Sequence, residues 1–297
     1  MKKLGYFFLS ILPLLIAVGI QFVAMILLVI VCTPFTIMRT NHSTTGIFNA
    51  LSDLFTNTDF NACAMIIYSI IVISGFGIWY YRNLGGDFLP KPRTTFHPLH
   101  FVGILVLVPG TQFATSYLIA ILSMIFPSWL EAYTELMETV GLSQNLTVFM
   151  LLYAVIAGPI AEELIFRGVS MRILRKAFPF WAANLIQAIL FGVYHMNWLQ
   201  GCYAAALGLA LGYVCEKGGS IYLSIFYHIL FNLWGTVVTG ALENASINDV
   251  VLGVIMFLIT AISIPAGCTL FHLGQTGKRN RVTEEILQSQ GSSPSSL

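Results

Sequence analysis

Long apolar runs separated by short polar stretches dominate this chain. A membrane-spanning helix needs about 20 mostly apolar residues. Eight segments qualify, and they cover residues 5–32, 62–81, 100–126, 147–173, 180–199, 201–216, 219–242 and 250–272. The sixth segment is short and the fourth contains charged residues, so these two depart most from a simple hydrophobic span. The pattern predicts an all-α fold, a polytopic membrane helix bundle with about eight transmembrane helices.

Composition supports the membrane assignment and sets the domain limits. The chain is 57% hydrophobic and 9% charged, whereas an ordinary soluble domain has about 25% charged residues. We expect residues 1–273 to form a single transmembrane domain. The polar stretch 274–297 ends in Gly-Ser-Ser-Pro-Ser-Ser-Leu, a composition that predicts a disordered tail. We expect the lipid bilayer as a partner and no nucleic acid.

The distribution of basic residues predicts the orientation of the chain. Cytoplasmic loops carry an excess of Lys and Arg. If both termini are cytoplasmic, only Arg39 of the 14 Lys and Arg residues falls on the outer side. We therefore expect a multi-pass protein of the cell membrane with cytoplasmic N- and C-termini and a cytoplasmic tail.

Three charged residues lie close together within the fourth apolar segment. Residues 162–167 read Glu-Glu-Leu-Ile-Phe-Arg, and residues 146–161 before them contain no charge. An ionisable group at the centre of a membrane helix costs about 2.5–3.5 kcal/mol on insertion scales. Because such charges are expensive, they mark functional sites. This hexapeptide is therefore the first candidate for a functional site.

Helical geometry separates the two adjacent glutamates. Residues four apart share a face of a helix, so Glu163 and Arg167 are expected to form an ion pair. Glu162 points about 100° away from that pair. The two carboxylates can then have different roles, with Glu163 held by Arg167 and Glu162 suited to act as a general base. The alternative is a structural Glu–Arg clamp in which Glu162 is incidental.

Two later segments carry polar stripes at helical spacing. Each stripe includes one histidine; they consist of Asn184, Gln187, Phe191 and His195, and of Ser224, His228 and Asn232. A single histidine in a membrane helix is more often a packing residue than a ligand. Two histidines, each within a polar stripe and near a pair of glutamates, favour a functional role. Between them, Gly208 and Gly212 form a GxxxG pattern, which predicts close helix packing.

These three motifs together resemble those of a known family. Glu-Glu-x-x-x-Arg at 162–167, Phe-x-x-x-His at 191–195 and His-x-x-x-Asn at 228–232 occur in this order, each inside an apolar segment. In this they closely resemble the CPBP family of intramembrane proteases. That family includes the CAAX prenyl endopeptidases and the bacterial Abi, or bacteriocin-immunity, proteins. The resemblance covers about residues 146–242, which would form the catalytic core.

The resemblance implies an intramembrane endopeptidase and a role for each motif residue. Glu162 is similar to the family's general base that activates a water, and His195 to the residue that helps to hold it. His228 and Asn232 resemble the pair that stabilises the oxyanion, while Glu163 and Arg167 resemble the structural part of the first motif. The implied substrate is a membrane-bound peptide or lipidated protein, either prenylated and CAAX-like or of the bacteriocin or leader type.

Metal dependence and two rival functions stay open at this point. A zinc ion or another divalent metal could be bound by Glu162, His195 and His228 in a three-ligand pattern. The chain has no His-Glu-x-x-His, however, and a glutamate that binds the metal could not also be the base. Metal-independent catalysis is therefore favoured, and no cofactor is firmly predicted. The rival functions are a proton-coupled transporter and a non-catalytic immunity or scaffold protein.

Overall fold

The computed structural model describes residues 2–41, 43–85, 96–140, 146–238 and 248–291, with backbone only for 238 and 284–291. Within these ranges the regular structure is entirely helical, which confirms the all-α fold. In chain order the helices are α1 (Lys2–Arg39), α2 (Thr44–Thr56), α3 (Thr58–Asn83), α4 (Pro98–Ile125), α5 (Pro127–Thr139), α6 (Val148–Arg175), α7 (Phe180–Tyr194), α8 (Trp198–Gly218), α9 (Ile221–Leu233, continued as a π-helix over Trp234–Val238) and α10 (Asp249–Gly291).

Each of the eight predicted segments contains one apolar helix. Helices α1, α3, α4, α6, α8 and α10 are long and apolar enough to cross a membrane by length and composition. Helix α7 has 15 residues, or about 22 Å at 1.5 Å per residue, against a hydrocarbon core of about 30 Å. The protein is therefore a multi-pass membrane bundle in which α7 and α9 are shorter than the other apolar helices.

Three features differ from the sequence-based expectation. The fifth segment was expected to run to residue 199, but α7 ends at Tyr194 and α8 begins at Trp198. Two 13-residue helices, α2 and α5, lie between the apolar helices and were not predicted. Helix α10 continues to Gly291, so residues 274–291 are helical where composition predicted disorder. The rest of the predicted tail, residues 292–297, lies outside the described residues. The assignment of 1–273 to one transmembrane domain stays a prediction.

The chain divides into two compact units. The first unit comprises Met1–Gly86 and Leu118–Gly212, and the second comprises Asp87–Tyr117 and Tyr213–Leu297. Two of the three unit boundaries, at 117/118 and 212/213, therefore fall within α4 and α8.

In the first unit, α7 and α8 approach through glycines. A Cβ built on Gly192 would lie 2.5 Å from the carbonyl oxygen of Gly201. A Cβ on Gly208 would lie 3.1 Å from the Cα of Ala188, and one on Gly212 would collide with the Asn184 amide. The GxxxG pattern of α8 thus gives the close helix packing that the sequence predicts, and the helix that it contacts is α7, because only glycine leaves room for this approach.

In the second unit, α4 and α10 also approach each other through glycines. A Cβ on Gly103 would lie 2.8 Å from the backbone nitrogen of Phe271, and one on Gly267 would lie 2.9 Å from the carbonyl oxygen of Gly103. The Tyr117 hydroxyl also donates to the Gly253 carbonyl oxygen at 2.6 Å. Close backbone contact and a buried hydroxyl bond therefore join these two helices.

Candidate active site

Helix α6, which carries the charged hexapeptide, is not a regular α-helix. Two π-helical segments, Tyr153–Ala157 and Leu164–Ser170, flank the α-helical turn Gly158–Glu163. The Gly158 N–H accordingly donates to the carbonyl of Tyr153, five residues back. Pro159 has no N–H to give to the carbonyl four residues back, which interrupts the α-helical ladder at this turn. Such π-bulges are frequent at functional sites, and Glu162 lies in the turn between them.

Glu163 and Arg167 form a fully buried ion pair. The Arg167 Nη1 to Glu163 Oε1 distance is 2.8 Å, and neither side chain is exposed to solvent. The Arg167 Nη2 group donates to the Gly208 carbonyl oxygen at 3.3 Å, and the guanidinium carbon lies 4.5 Å from the centre of the Phe191 ring. The guanidinium therefore joins α6 to both α7 and α8. Its role in supporting a catalytic site stays a prediction.

Two members of the α7 polar stripe bind the backbone of α8. Asn184 Nδ2 donates to the Leu209 carbonyl oxygen at 3.0 Å. Gln187 Nε2 donates to the Gly208 carbonyl oxygen at 2.9 Å and to Asn184 Oδ1 at 2.8 Å. Both side chains are fully buried. Polar side chains bonded in this way stabilise helix packing inside a membrane, so these two residues have a structural function.

His195 lies directly after the end of α7 and is partly exposed. Its Nδ1 is 2.8 Å from the Phe191 carbonyl oxygen. Because a carbonyl only accepts, Nδ1 must carry the hydrogen, and in the neutral ring Nε2 then has the lone pair. The next residue, Met196, has a φ of 50°, the left-handed conformation typical of a helix C-terminus. The chain therefore turns away from α7 at His195.

Glu162 is partly exposed, unlike its neighbour Glu163. Its carboxylate lies close enough to four tyrosines to interact with them electrostatically; these are Tyr68, Tyr153, Tyr194 and Tyr203. They come from α3, α6, α7 and α8. Tyr194 directly precedes His195, so the end of the short helix α7 lies near the Glu162 carboxylate.

Sequence reasoning missed these tyrosines because they share no motif or spacing. The available signal was chemical: a tyrosine inside an apolar span needs a partner for its hydroxyl. Tyr68, in the middle of α3, meets that description, and its hydroxyl lies 2.6 Å from that of Tyr194.

His228 and Asn232 lie on α9 in the second unit, four residues apart as predicted. His228 is 2% exposed, Ser224 one turn earlier is fully buried, and Asn232 is partly exposed. Beyond them the Thr236 hydroxyl donates to the Asn232 carbonyl oxygen at 2.7 Å. Glu162, Glu163, Arg167 and His195 belong to the first unit. A joint role for Glu162, His195, His228 and Asn232 stays a prediction.

The alternative of a metal site depends on whether metal-binding side chains lie close together. Among the residues that the structure describes, no group of three or more His, Cys, Asp and Glu side chains is arranged to hold a metal ion. The three-ligand alternative of Glu162, His195 and His228 thus finds no support in the donor arrangement.

Comparison with known proteins adds a family match for part of the chain. Residues 144–234 match the family model described as type II CAAX prenyl endopeptidase Rce1-like. This confirms the resemblance inferred from the three motifs, all of which lie within the matched segment. The matched segment covers the middle of the chain, from before α6 to the start of the π-helical end of α9.

One curated relative also matches within the chain. It is the Bacillus subtilis (strain 168) protein named "Putative membrane peptidase YdiL", which is 30% identical over 83 residues. The alignment covers 28% of this chain and 34% of the relative, so the chain matches about a third of that protein's length. No solved structure matches the chain significantly.

Proposed function

We propose that the protein is an intramembrane endopeptidase that hydrolyses a peptide bond of a membrane-associated substrate. The observation that supports this proposal is the different environment of the two adjacent glutamates of α6. Arg167 neutralises the buried Glu163 at 2.8 Å, while the adjacent Glu162 is partly exposed. A spanning helix that holds one carboxylate in an ion pair and presents the next one suits general-base chemistry. The CPBP-family segment 144–234 includes both residues.

In the proposed reaction Glu162 accepts a proton from a water molecule. The resulting hydroxide attacks the carbonyl carbon of the scissile peptide bond and gives a tetrahedral oxyanion. Glu162 then returns the proton to the amine as the C–N bond breaks, which leaves a carboxylic acid and an amine. His195 would accept a hydrogen bond from the water at Nε2, because Nδ1 is bonded to the Phe191 carbonyl. His228 and Asn232 would donate to the oxyanion, as their family motif implies.

The description of the matching family supports a proposal for the substrate class. A prenylated, CAAX-like peptide or another lipidated protein is the substrate that we propose for this chain. Neither match names bacteriocin immunity, so a bacteriocin or leader-type substrate has no support from the comparisons. No step of the mechanism passes through a metal ion.

The decisive experiment is cleavage by the purified full chain in detergent, with a farnesylated, fluorogenic CAAX peptide as the substrate. Glu162→Gln keeps the shape of the side chain and removes its basicity, and should lower the rate by at least about 10²-fold. Glu135→Gln changes an exposed glutamate of α5 and is the matched control, expected to retain full activity. Full activity in Glu162→Gln would refute the proposal.

Two further measurements separate the alternatives. Treatment with 1,10-phenanthroline should leave the rate unchanged, whereas a loss restored by added zinc would favour the ligand set Glu162, His195 and His228. A transporter predicts solute flux in proteoliposomes without hydrolysis. An immunity or scaffold protein predicts peptide binding that the Glu162→Gln substitution leaves unchanged, again without hydrolysis.

A further inference from the structure

Tyr68 and Tyr194 form a buried hydroxyl pair near Glu162. Their oxygen atoms are 2.6 Å apart, and the two residues are 1% and 9% exposed. Tyr68 comes from the middle of α3, and Tyr194 is the last residue of α7. A buried tyrosine hydroxyl needs a hydrogen-bond partner, and here each supplies the other. The pair therefore joins the interior of one helix to the terminus of another.

Aromatic contacts also hold the end of α7. The Tyr194 ring lies edge-on to Phe166 of α6, with centroids 5.5 Å apart. Phe166 also packs against Phe191 one turn earlier in α7, at 5.1 Å. These ring contacts fix the distance between α6 and α7 but allow the rings to slide and rotate against each other. The hydroxyl bond to Tyr68 is directional, so it sets the position of Tyr194 along α3.

His195 follows Tyr194 directly and sits at the point where the helix ends. Its ring packs against that of Tyr194, with centroids 5.8 Å apart, and against Phe191 at 4.9 Å. Any shift of Tyr194 is therefore passed to His195 by the shared backbone and by this ring contact. Displacement of a catalytic group by about 1 Å can cost about 10²-fold in rate.

The hydroxyl pair also has hydrogen-bonding capacity beyond itself. Two phenol groups carry two hydrogens, and the bond between them uses only one. The Glu162 carboxylate, which only accepts hydrogen bonds, interacts electrostatically with both tyrosines. The Tyr68–Tyr194 pair is therefore an electrostatic neighbour of the carboxylate that we propose as the base.

We infer that Tyr68 is a positioning residue of the proposed peptidase, which fixes Tyr194 and, through it, the imidazole of His195 relative to Glu162. Tyr68 and Tyr194 act as one unit in this role. The inference rests on the proposed function for its kinetic consequence, but its structural consequence can be measured without any activity.

The kinetic test uses Tyr68→Phe and Tyr194→Phe, which remove one hydroxyl each and keep the ring. Each should lower kcat for the farnesylated peptide about 10-fold with KM unchanged within about twofold, because positioning of the reacting groups changes while substrate binding does not. The double variant should be no slower than either single variant, since both remove the same bond. Tyr117→Phe removes an equally short hydroxyl bond, from α4 to Gly253 at 2.6 Å, and is the matched control with unchanged kcat.

The structural test uses hydrogen–deuterium exchange of the same variants in detergent. Tyr68→Phe should accelerate exchange in the peptide covering residues 191–197 and leave α1 unchanged. A kcat within twofold of wild type in Tyr68→Phe, or a double variant whose loss is the product of the two single losses, would overturn the inference.

The two proposals can fail separately. If the wild type cleaves no peptide, the proposed function fails, and exchange at 191–197 alone decides whether Tyr68 holds the end of α7. Unchanged exchange there would overturn the inference in that case as well. If Tyr68→Phe does not fold, Tyr194→Phe supplies the same two measurements.

Discussion

The buried pair of Glu163 and Arg167 gives the sharpest prediction for stability. Both side chains are completely buried, 2.8 Å apart at the closest atoms. Two unit charges about 4 Å apart interact by about 4 kcal/mol at an effective dielectric constant of 20. Removal of one partner also leaves the other charge buried and uncompensated, and measured costs for such changes are about 3–5 kcal/mol. Glu163→Gln and Arg167→Met should each destabilise the fold by that amount.

The double variant Glu163→Gln/Arg167→Met should be much less damaging than either single change. It removes both charges and keeps both volumes close to native, and such replacements are often neutral. What remains is the lost hydrogen bond from Arg167 to the Gly208 carbonyl and the lost contact with Phe191. We expect a net cost below about 2 kcal/mol, because a hydrogen bond to a charged group contributes about 1.5–3 kcal/mol and part of it is recovered by apolar packing.

Thermal unfolding of the purified full chain in detergent measures all three variants. At about 2 °C per kcal/mol for a chain of this size, each single variant should lower Tm by about 6–10 °C. Glu135→Gln, an exposed site, should leave Tm unchanged. A drop of less than about 2 °C in Glu163→Gln, or a double variant whose drop equals the sum of the single drops, would refute the reasoning that the pair is a coupled buried charge pair.

The remaining predictions concern helix packing, activity and topology. Gly192→Ala should cost about 1–3 kcal/mol in unfolding free energy, since its Cβ would lie 2.5 Å from the Gly201 carbonyl oxygen. Gly253→Ala, with no atom within 4 Å of the new Cβ, should be neutral or slightly stabilising in the same thermal assay. The same Gly192→Ala substitution should also lower peptide cleavage, because it moves the last turn of α7, and full activity at a reduced Tm would contradict this. Reporter fusions after Gly274 and within 82–99 should both report the cytoplasmic side, and an external signal from either would overturn the proposed orientation.

Sequence patterns predicted the helices and the contacts between residues close together in the chain. The eight apolar segments each contain a helix, and the spacing of Glu163 and Arg167 leads directly to the observed ion pair. Both are local properties: hydropathy acts along a single segment, and two residues four apart meet on any helix. The GxxxG contact of α8 was equally local, since Gly208 and Gly212 open one face for whichever helix lies there.

Helix ends were harder to predict because hydropathy does not mark them. A span needs about 20 residues, so the fifth segment was expected to include residues 195–199, yet α7 stops at Tyr194 and Met196 adopts a left-handed backbone conformation. The polar stripe on α7 shows the same limit. Asn184 and Gln187 share a spacing with His195, but the backbone carbonyls of α8 that they bind belong to another helix. Spacing indicates which residues share a face, and the partner across that face decides their role.

The surroundings of Glu162 show why a site of this kind is visible only in three dimensions. Its electrostatic neighbours Tyr68, Tyr194 and Tyr203 come from α3, α7 and α8, and no pattern along the chain connects them. Each of these phenols is hydrophobic enough to pass as part of an apolar span, while its hydroxyl still requires a specific partner. Tyrosine can therefore provide hydrogen bonds around a carboxylate without a charge that would reveal them in the hydropathy profile. Substitution to phenylalanine keeps the apolar ring and removes only the hydroxyl. We therefore expect Tyr68→Phe and Tyr194→Phe to distinguish a positioning role of the hydroxyl from a packing role of the ring.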